Sequence, residues 1–129
     1  MLSCSAEYAL LALTYLAEQP PDQSCGARDI AGATSIPLPY LWKILKVLTD
    51  SHLLVSCRGV GGGYRLAREP KRIRLEEVLV ALSEDVPFGR CVLKHTECDE
   101  NHPCAMHRPW DVLRKRLSRT TVADLKSRI

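Results

Sequence analysis

Apolar residues recur at three- and four-residue spacing over residues 3–19, at Ala6, Ala9, Leu10, Leu13, Leu16 and Ala17. That is the period of a helix with one buried face. Ser3 suits the N-cap, and Pro20-Pro21 is a stop, because proline lacks the N–H the helical ladder needs. Glu7 falls in the first turn, where a carboxylate complements the helix dipole. A short helix is predicted over 27–33. After the break Thr34-Ser35-Ile36-Pro37 comes a longer one over 39–51, with Pro39 suited to the first helical position. Ile30, Ala31, Ile36, Leu41, Ile44, Leu45 and Leu48 supply the apolar stripe these helices share. Two strand candidates follow, Leu53–Arg58 and Tyr64–Arg68, around the turn Gly59-Val60-Gly61-Gly62-Gly63. Such a hairpin tip needs positive φ angles or close approach of its backbone to another surface. Helical spacing returns at Leu75, Val78, Leu79 and Leu82, within residues 73–82. It returns again at Trp110, Leu113, Leu117, Val122 and Leu125.

Two short helices joined by a tight turn, followed by a basic hairpin, predict a winged helix-turn-helix. In that geometry the leading residues of the second helix enter a DNA major groove, here Leu38, Tyr40, Trp42 and Lys43, with Lys46 one turn later. Arg28 is a further candidate contact. At the wing, Arg58, Gly59, Arg65 and Arg68 are placed to meet phosphate or a narrow minor groove. A phosphate-cradling glycine loop is the competing reading of Gly59–Gly63; no Gly-Lys-Ser/Thr follows and the chain enters a strand, so it is discounted. The last apolar pattern exceeds what a small domain can cover and predicts a dimerisation element. The expected fold is mainly α with a small β-hairpin wing. A winged helix-turn-helix spans 1–85, a cysteine-rich loop 86–108 and a long C-terminal dimerisation helix 109–129, all in one compact unit.

The chain has 129 residues, of which 46% are hydrophobic and 26% charged, which fits one globular core. No run approaches eighteen apolar residues, so no membrane span is expected. The first residues carry an early acid and no basic cluster, so no secretory signal is expected and the cytoplasm, near the nucleoid, is the predicted location. Charge is unevenly placed. Residues 1–27 hold three acids and no Lys or Arg, residues 28–74 hold nine Lys and Arg against three acids, and residues 75–129 hold nine of each. The positive block coincides with the predicted helix-turn-helix and wing, as a nucleic-acid footprint would.

Candidate chemistry concentrates in Cys91-Val-Leu-Lys-His-Thr-Glu-Cys98-Asp-Glu-Asn-His-Pro-Cys104-Ala-Met-His107. Thiolates prefer zinc, copper(I) or iron–sulfur clusters, with imidazole an acceptable fourth ligand. Reduced cytoplasmic thiols favour metal or redox use over disulfides. A structural Cys3His zinc site fits the count, although its ligands usually come in C-x2-4-C pairs. A metal-free thiol switch is a further reading. An enzyme is discounted, since no oxyanion donor or orienting acid accompanies the cysteines, and no small-molecule substrate is expected. His95, His102, Cys4, Cys25 and Cys57 read as surface or packing residues.

At the wing, Leu54-Val55-Ser56-x-Arg58-Gly59-x-x-Gly62-Gly63-Tyr64-x-Leu66-Ala67 closely resembles the signature of the Rrf2 family of bacterial winged-helix regulators. The likeness extends over nearly the whole chain, through Tyr8-Ala9, Asp29-Ile30-Ala31, Ile36-Pro37-x-x-Tyr40-Leu41, the three cysteines and Trp110. It implies a homodimeric transcription factor on a double-stranded DNA operator, controlled by a two-iron or four-iron cluster that senses redox state, nitric oxide or iron–sulfur status. Cys91, Cys98 and Cys104 would be the thiolate ligands. His107 stands where one branch of the family has a ligand histidine, and Glu7 where another supplies a carboxylate from the partner's first helix. The first cysteine spacing is one residue longer than is common, which implies a variant loop path.

Overall fold

The first helix, α1 (Cys4–Ala17), starts where the sequence caps it: the Ser3 hydroxyl accepts the Ala6 N–H at 3.2 Å. Its buried face is small, with Ala6, Ala9 and Ala12 beside Leu13 and Leu16. Alanine at these positions lets neighbours approach closely, and α1 packs against most of the fold. The structure, a computed structural model, describes residues 3–82, 93 and 98–125.

The helix-turn-helix is α2 (Ala27–Thr34) and α3 (Leu38–Asp50). Ser35 makes the turn in the left-handed region, φ 61°, and Ile36 behind it is buried. α3 begins one residue earlier than its proline suggests: Pro37 is the N-cap residue and Pro39 the second helical position. Leu41, Ile44, Leu45 and Leu48 turn inward.

α3 closes with a double hydrogen bond, Leu53 N–H to Leu48 C=O at 2.9 Å and His52 N–H to Thr49 C=O at 3.0 Å. This is a Schellman closure, with His52 at φ 62° where glycine is commonest, and Leu53 and Leu48 both buried.

The wing pairs β1 (Leu54–Cys57) with β2 (Gly63–Leu66) antiparallel, Leu54 opposite Leu66 and Cys57 opposite Gly63. Gly59 and Gly61 at the tip have φ of 95° and 75°. A third segment joins the sheet, because Cys25 exchanges both backbone hydrogen bonds with Tyr64, at 2.8 and 2.7 Å. Gly63 is required there. A Cβ on it would lie 2.3 Å from the Cys25 carbonyl oxygen. The close approach expected of the glycine run is thus made to the chain's own residue 25.

α4 (Leu75–Ala81) completes the core with Leu75, Val78 and Leu79. Its start is fixed by Glu77, which accepts the Arg74 N–H at 3.0 Å and pairs with Arg68 at 3.2 Å. α5 (His107–Arg119) contributes no buried residue. The helix expected to run on toward residue 129 ends here, because Thr120 is extended (ψ 133°) and the chain turns back. Leu75 N–H bonds to Thr120 C=O and Val122 N–H to Ile73 C=O, both at 2.9 Å. Val122 is fully buried against the core, and a short 3-10 turn, Val122–Leu125, follows. Burying one valine and pairing Thr121 with Arg74 outweighs continuing an exposed helix.

Candidate functional site

Two groups of residues stand out from the core. The first lies on α3 and the wing. Because the inward stripe of α3 takes Leu41, Ile44, Leu45 and Leu48, the 3.6-residue period turns Tyr40, Trp42, Lys43 and Lys46 outward. Tyr40 is 58% and Trp42 49% exposed, unusual for large aromatics not engaged in contact. Tyr40 leans on Tyr8 of α1, ring centroids 6.4 Å apart and planes tilted by 49°. Trp42 and Lys46 border a groove between α3 and the sheet, with Thr49, Asp50, Ser56 and Tyr64. Lys46 pairs with Asp50 at 3.4 Å on the open surface, where water weakens the contact. Leu38 is half-buried and packs on the core at the start of α3.

Arg28 is exposed near the start of α2, Arg58 is exposed beside the hairpin tip, and Arg65 is half-buried in β2 opposite Val55. Arg68 lies past the end of β2 and binds Glu77 and the Arg72 carbonyl, so it fixes the start of α4 and does not flank the tip. On the outer side of the sheet the Ser24 hydroxyl, and after it Arg65, hold the Cys57 thiol below its usual value. Cys25 behaves oppositely: burial first, then Asp29, pushes its thiol up. Sequence reading missed the parts of Tyr8 and Ser24. Both are placed by contacts distant in sequence, which no local signal announces.

The second group is at the entry to α5. The Cys98 sulfur lies 3.5 Å from His107 Nδ1. The Cys104 N–H points at the same sulfur, also at 3.5 Å, and the His107 N–H donates to the Cys104 carbonyl at 3.1 Å. Cys98, Cys104 and His107 are all half-buried. The intervening turn is shaped by Asp99, whose carboxylate accepts the N–H groups of Asn101 and His102 at 2.8 and 2.7 Å. The His102 ring is exposed beside Asp99, and Glu7 is exposed on the first turn of α1. Cys91 and His95 lie outside the described residues. Among the described residues no three Cys, His, Asp or Glu side chains converge as a metal site. The donors that do converge, thiol sulfur and imidazole nitrogen, are soft or borderline, and the Cys104 N–H directed at the Cys98 sulfur orients it. These donor types are ones that an iron–sulfur cluster or a soft metal accepts.

Comparisons with known proteins bear on both groups. The family model Rrf2, described as an iron-dependent transcriptional regulator, matches residues 2–128. A protein of Aquifex aeolicus named as an HTH-type transcriptional regulator is 30% identical over 131 residues, spanning 97% of this chain and 90% of its own. The HTH-type transcriptional regulator IscR of Yersinia pseudotuberculosis is 32% identical over 117 residues, 91% of this chain and 71% of its own. Among solved structures, T. potens IscR aligns with a TM-score of 0.77 at 26% identity, covering 97% of this chain and 85% of that one. CymR, the global cysteine regulator of B. subtilis, aligns with a TM-score of 0.84 over 97% and 95% of the two chains; at 24% identity this is a likeness of fold.

Proposed function

The chain belongs to the Rrf2 family of transcriptional regulators, and from that premise we propose that it grips a double-stranded DNA operator as a homodimer under the control of an iron–sulfur cluster. The ligands are Cys91, Cys98 and Cys104, with His107 or the partner protomer's copy of Glu7 as the fourth. In the DNA half, Tyr40, Trp42 and Lys43 read the major groove, and Lys46 and Arg28 take phosphates. Arg58, Gly59 and Arg65 lie along the backbone or minor groove. The outward set of α3 and the basic block from 28 to 74 support this.

The observation that carries the cofactor reading is the Cys98 sulfur seated between the His107 imidazole and the Cys104 amide. When bound, the cluster supplies a centre sensitive to redox state, nitric oxide and iron supply. The protein's own residues then transmit its state. The Cys104 amide favours a negative sulfur at Cys98 and orients it. His107 is the first residue of α5, so any change at Cys98 is felt at the start of that helix. α5 leads to Thr120, which is bonded to the start of α4, and α4 packs on α1 and α3. The exposed side chains Val112 and Leu113 of α5, with Val80 of α4, offer the apolar surface for the second protomer. Such a regulator works where the DNA is, in the bacterial cytoplasm; among the described residues no helix is long and apolar enough to cross a membrane.

The test is an absorption spectrum with iron and sulfide analysis on anaerobically isolated protein, then operator affinity before and after cluster removal. A brown protein with matched iron and sulfide, and a changed affinity, is expected. His107→Ala and Glu7→Gln compared in the same assay identify the fourth ligand. A colourless zinc protein, or equal affinities, overturns the reading. A second reading rests on the same turn: the Cys104 backbone lies within hydrogen-bonding distance of the Cys98 sulfur, so a metal-free switch would join Cys98 and Cys104. A loss of two mass units on mild oxidation of metal-free protein, with altered affinity, is its signature.

A further inference from the structure

The leading turn of α3 carries an exposed aromatic side chain. Tyr40 is the third residue of the helix, and the N-cap residue Pro37 gives no side-chain cap. An exposed tyrosine there is free to sample rotamers, and a side chain that must be ordered on binding weakens affinity. The contact that restrains it comes from another helix. Tyr8 is half-buried, packs on the core and presents its ring to Tyr40 at 6.4 Å and 49°, within the tilted range aromatic pairs prefer. The same end of α1 approaches α3 a second time, where Ser5 and Lys43 line one shallow groove with Ile44 and Val47.

We propose that Tyr8 is a positioning residue for DNA reading, holding Tyr40 upright at the groove-entering end of α3. It touches no base. It fixes the direction from which Tyr40 meets the DNA, which makes the first turn of α1 part of the reading head. The proposal rests on α3 being the helix that enters the groove, and the experiment separates the two.

The full chain, isolated anaerobically, is titrated against the duplex that the wild type enriches from a randomised library, and against an unrelated duplex of equal length. Tyr40→Leu is expected to weaken the enriched duplex by roughly tenfold, as losing a specific contact does. Tyr8→Leu is expected to weaken it by about three- to tenfold, Tyr8→Phe to keep wild-type affinity, and the Tyr8→Leu/Tyr40→Leu double variant to be no weaker than Tyr40→Leu alone. Affinity for the unrelated duplex should not move. Additive losses, or a Tyr8→Leu loss that is equal on both duplexes, overturn the role of Tyr8 while leaving Tyr40 as a reader. Unchanged affinity in Tyr40→Leu removes Tyr40 from the reading surface and the proposal with it. If Tyr8→Leu does not fold, Tyr8→Met takes its place in the same cycle.

Discussion

The winged-helix half and the α5 half of this chain are held together in different ways. From Ala6 to Leu79 the described chain buries a continuous set of side chains, among them Leu13, Ile30, Leu41, Leu45, Leu48, Leu53 and Ile73. From Cys98 to Arg119 no side chain is fully buried, and what shapes the segment is a thiol–imidazole contact, an Asp99 turn and the ion pairs of Asp111. The first half is stable through excluded water and can keep its shape whatever it binds. The second leans on short polar contacts, with no fully buried side chain to fix it. On the proposed reading the first half reads DNA and the second senses, and these tasks call for the opposite properties that the placement of hydrophobic residues gives them.

The largest effect expected is on the first half. Leu45→Ala empties a fully buried site and should cost about 2–5 kcal/mol in denaturant unfolding. A loss below 1 kcal/mol would mean the block is far less tightly packed than the contrast requires. Next comes Cys98→Ser. It should change operator affinity by about 5- to 150-fold, the range of ordinary coupling energies, while leaving the unfolding midpoint of the winged-helix half where it was. A midpoint that drops with the affinity would break the contrast, because the two halves would then be one cooperative unit.

A smaller effect sharpens the picture of the first half. His52→Gly relieves a left-handed residue at the end of α3 and should raise stability by on the order of 0.5 kcal/mol, once glycine's greater unfolded freedom is counted. The smallest concerns α5. Arg114 and then Lys115 hold the Asp111 carboxyl down to about 2, from an ordinary 3.8. A carboxylate depressed in the folded state stabilises above its unfolded value, and that contribution disappears as pH falls through the folded one. Fluorescence of Trp110 in a Trp42→Phe background should therefore be flat from neutral pH to about 4 and change between 4 and 2. Asp111→Asn should remove that change.

Much of the first half was legible in the sequence because its signals are local. Ser3 and the alanine–leucine period gave α1, Pro37 and Pro39 bracketed the start of α3, and the glycines gave the hairpin. What was not legible depends on partners far along the chain. Cys25 pairs with Tyr64 as a single bridge, too short to show alternation, and Arg68 was drawn from the wing to Glu77 by a fold-level contact. The stop after Arg119 rests on Val122 reaching Ile73. At the cysteine segment the spacing announced the donor types, but the approach of Cys98 to His107 is set by the Asp99 turn and the start of α5, not by spacing alone.

The return of the chain at Thr120 has a topological consequence. Thr120 and Val122 are fastened to Leu75 and Ile73, beside the point where α4 sets out. The stretch from the start of α4 to Thr120 is therefore a closed excursion whose two ends are bonded to each other. Length added to it is paid out as slack, at a closure cost that grows only with the logarithm of that length, and the core need not shift. Evolution, or an engineer, can therefore exchange the segment that links α4 to α5 and keep the same DNA-binding chassis.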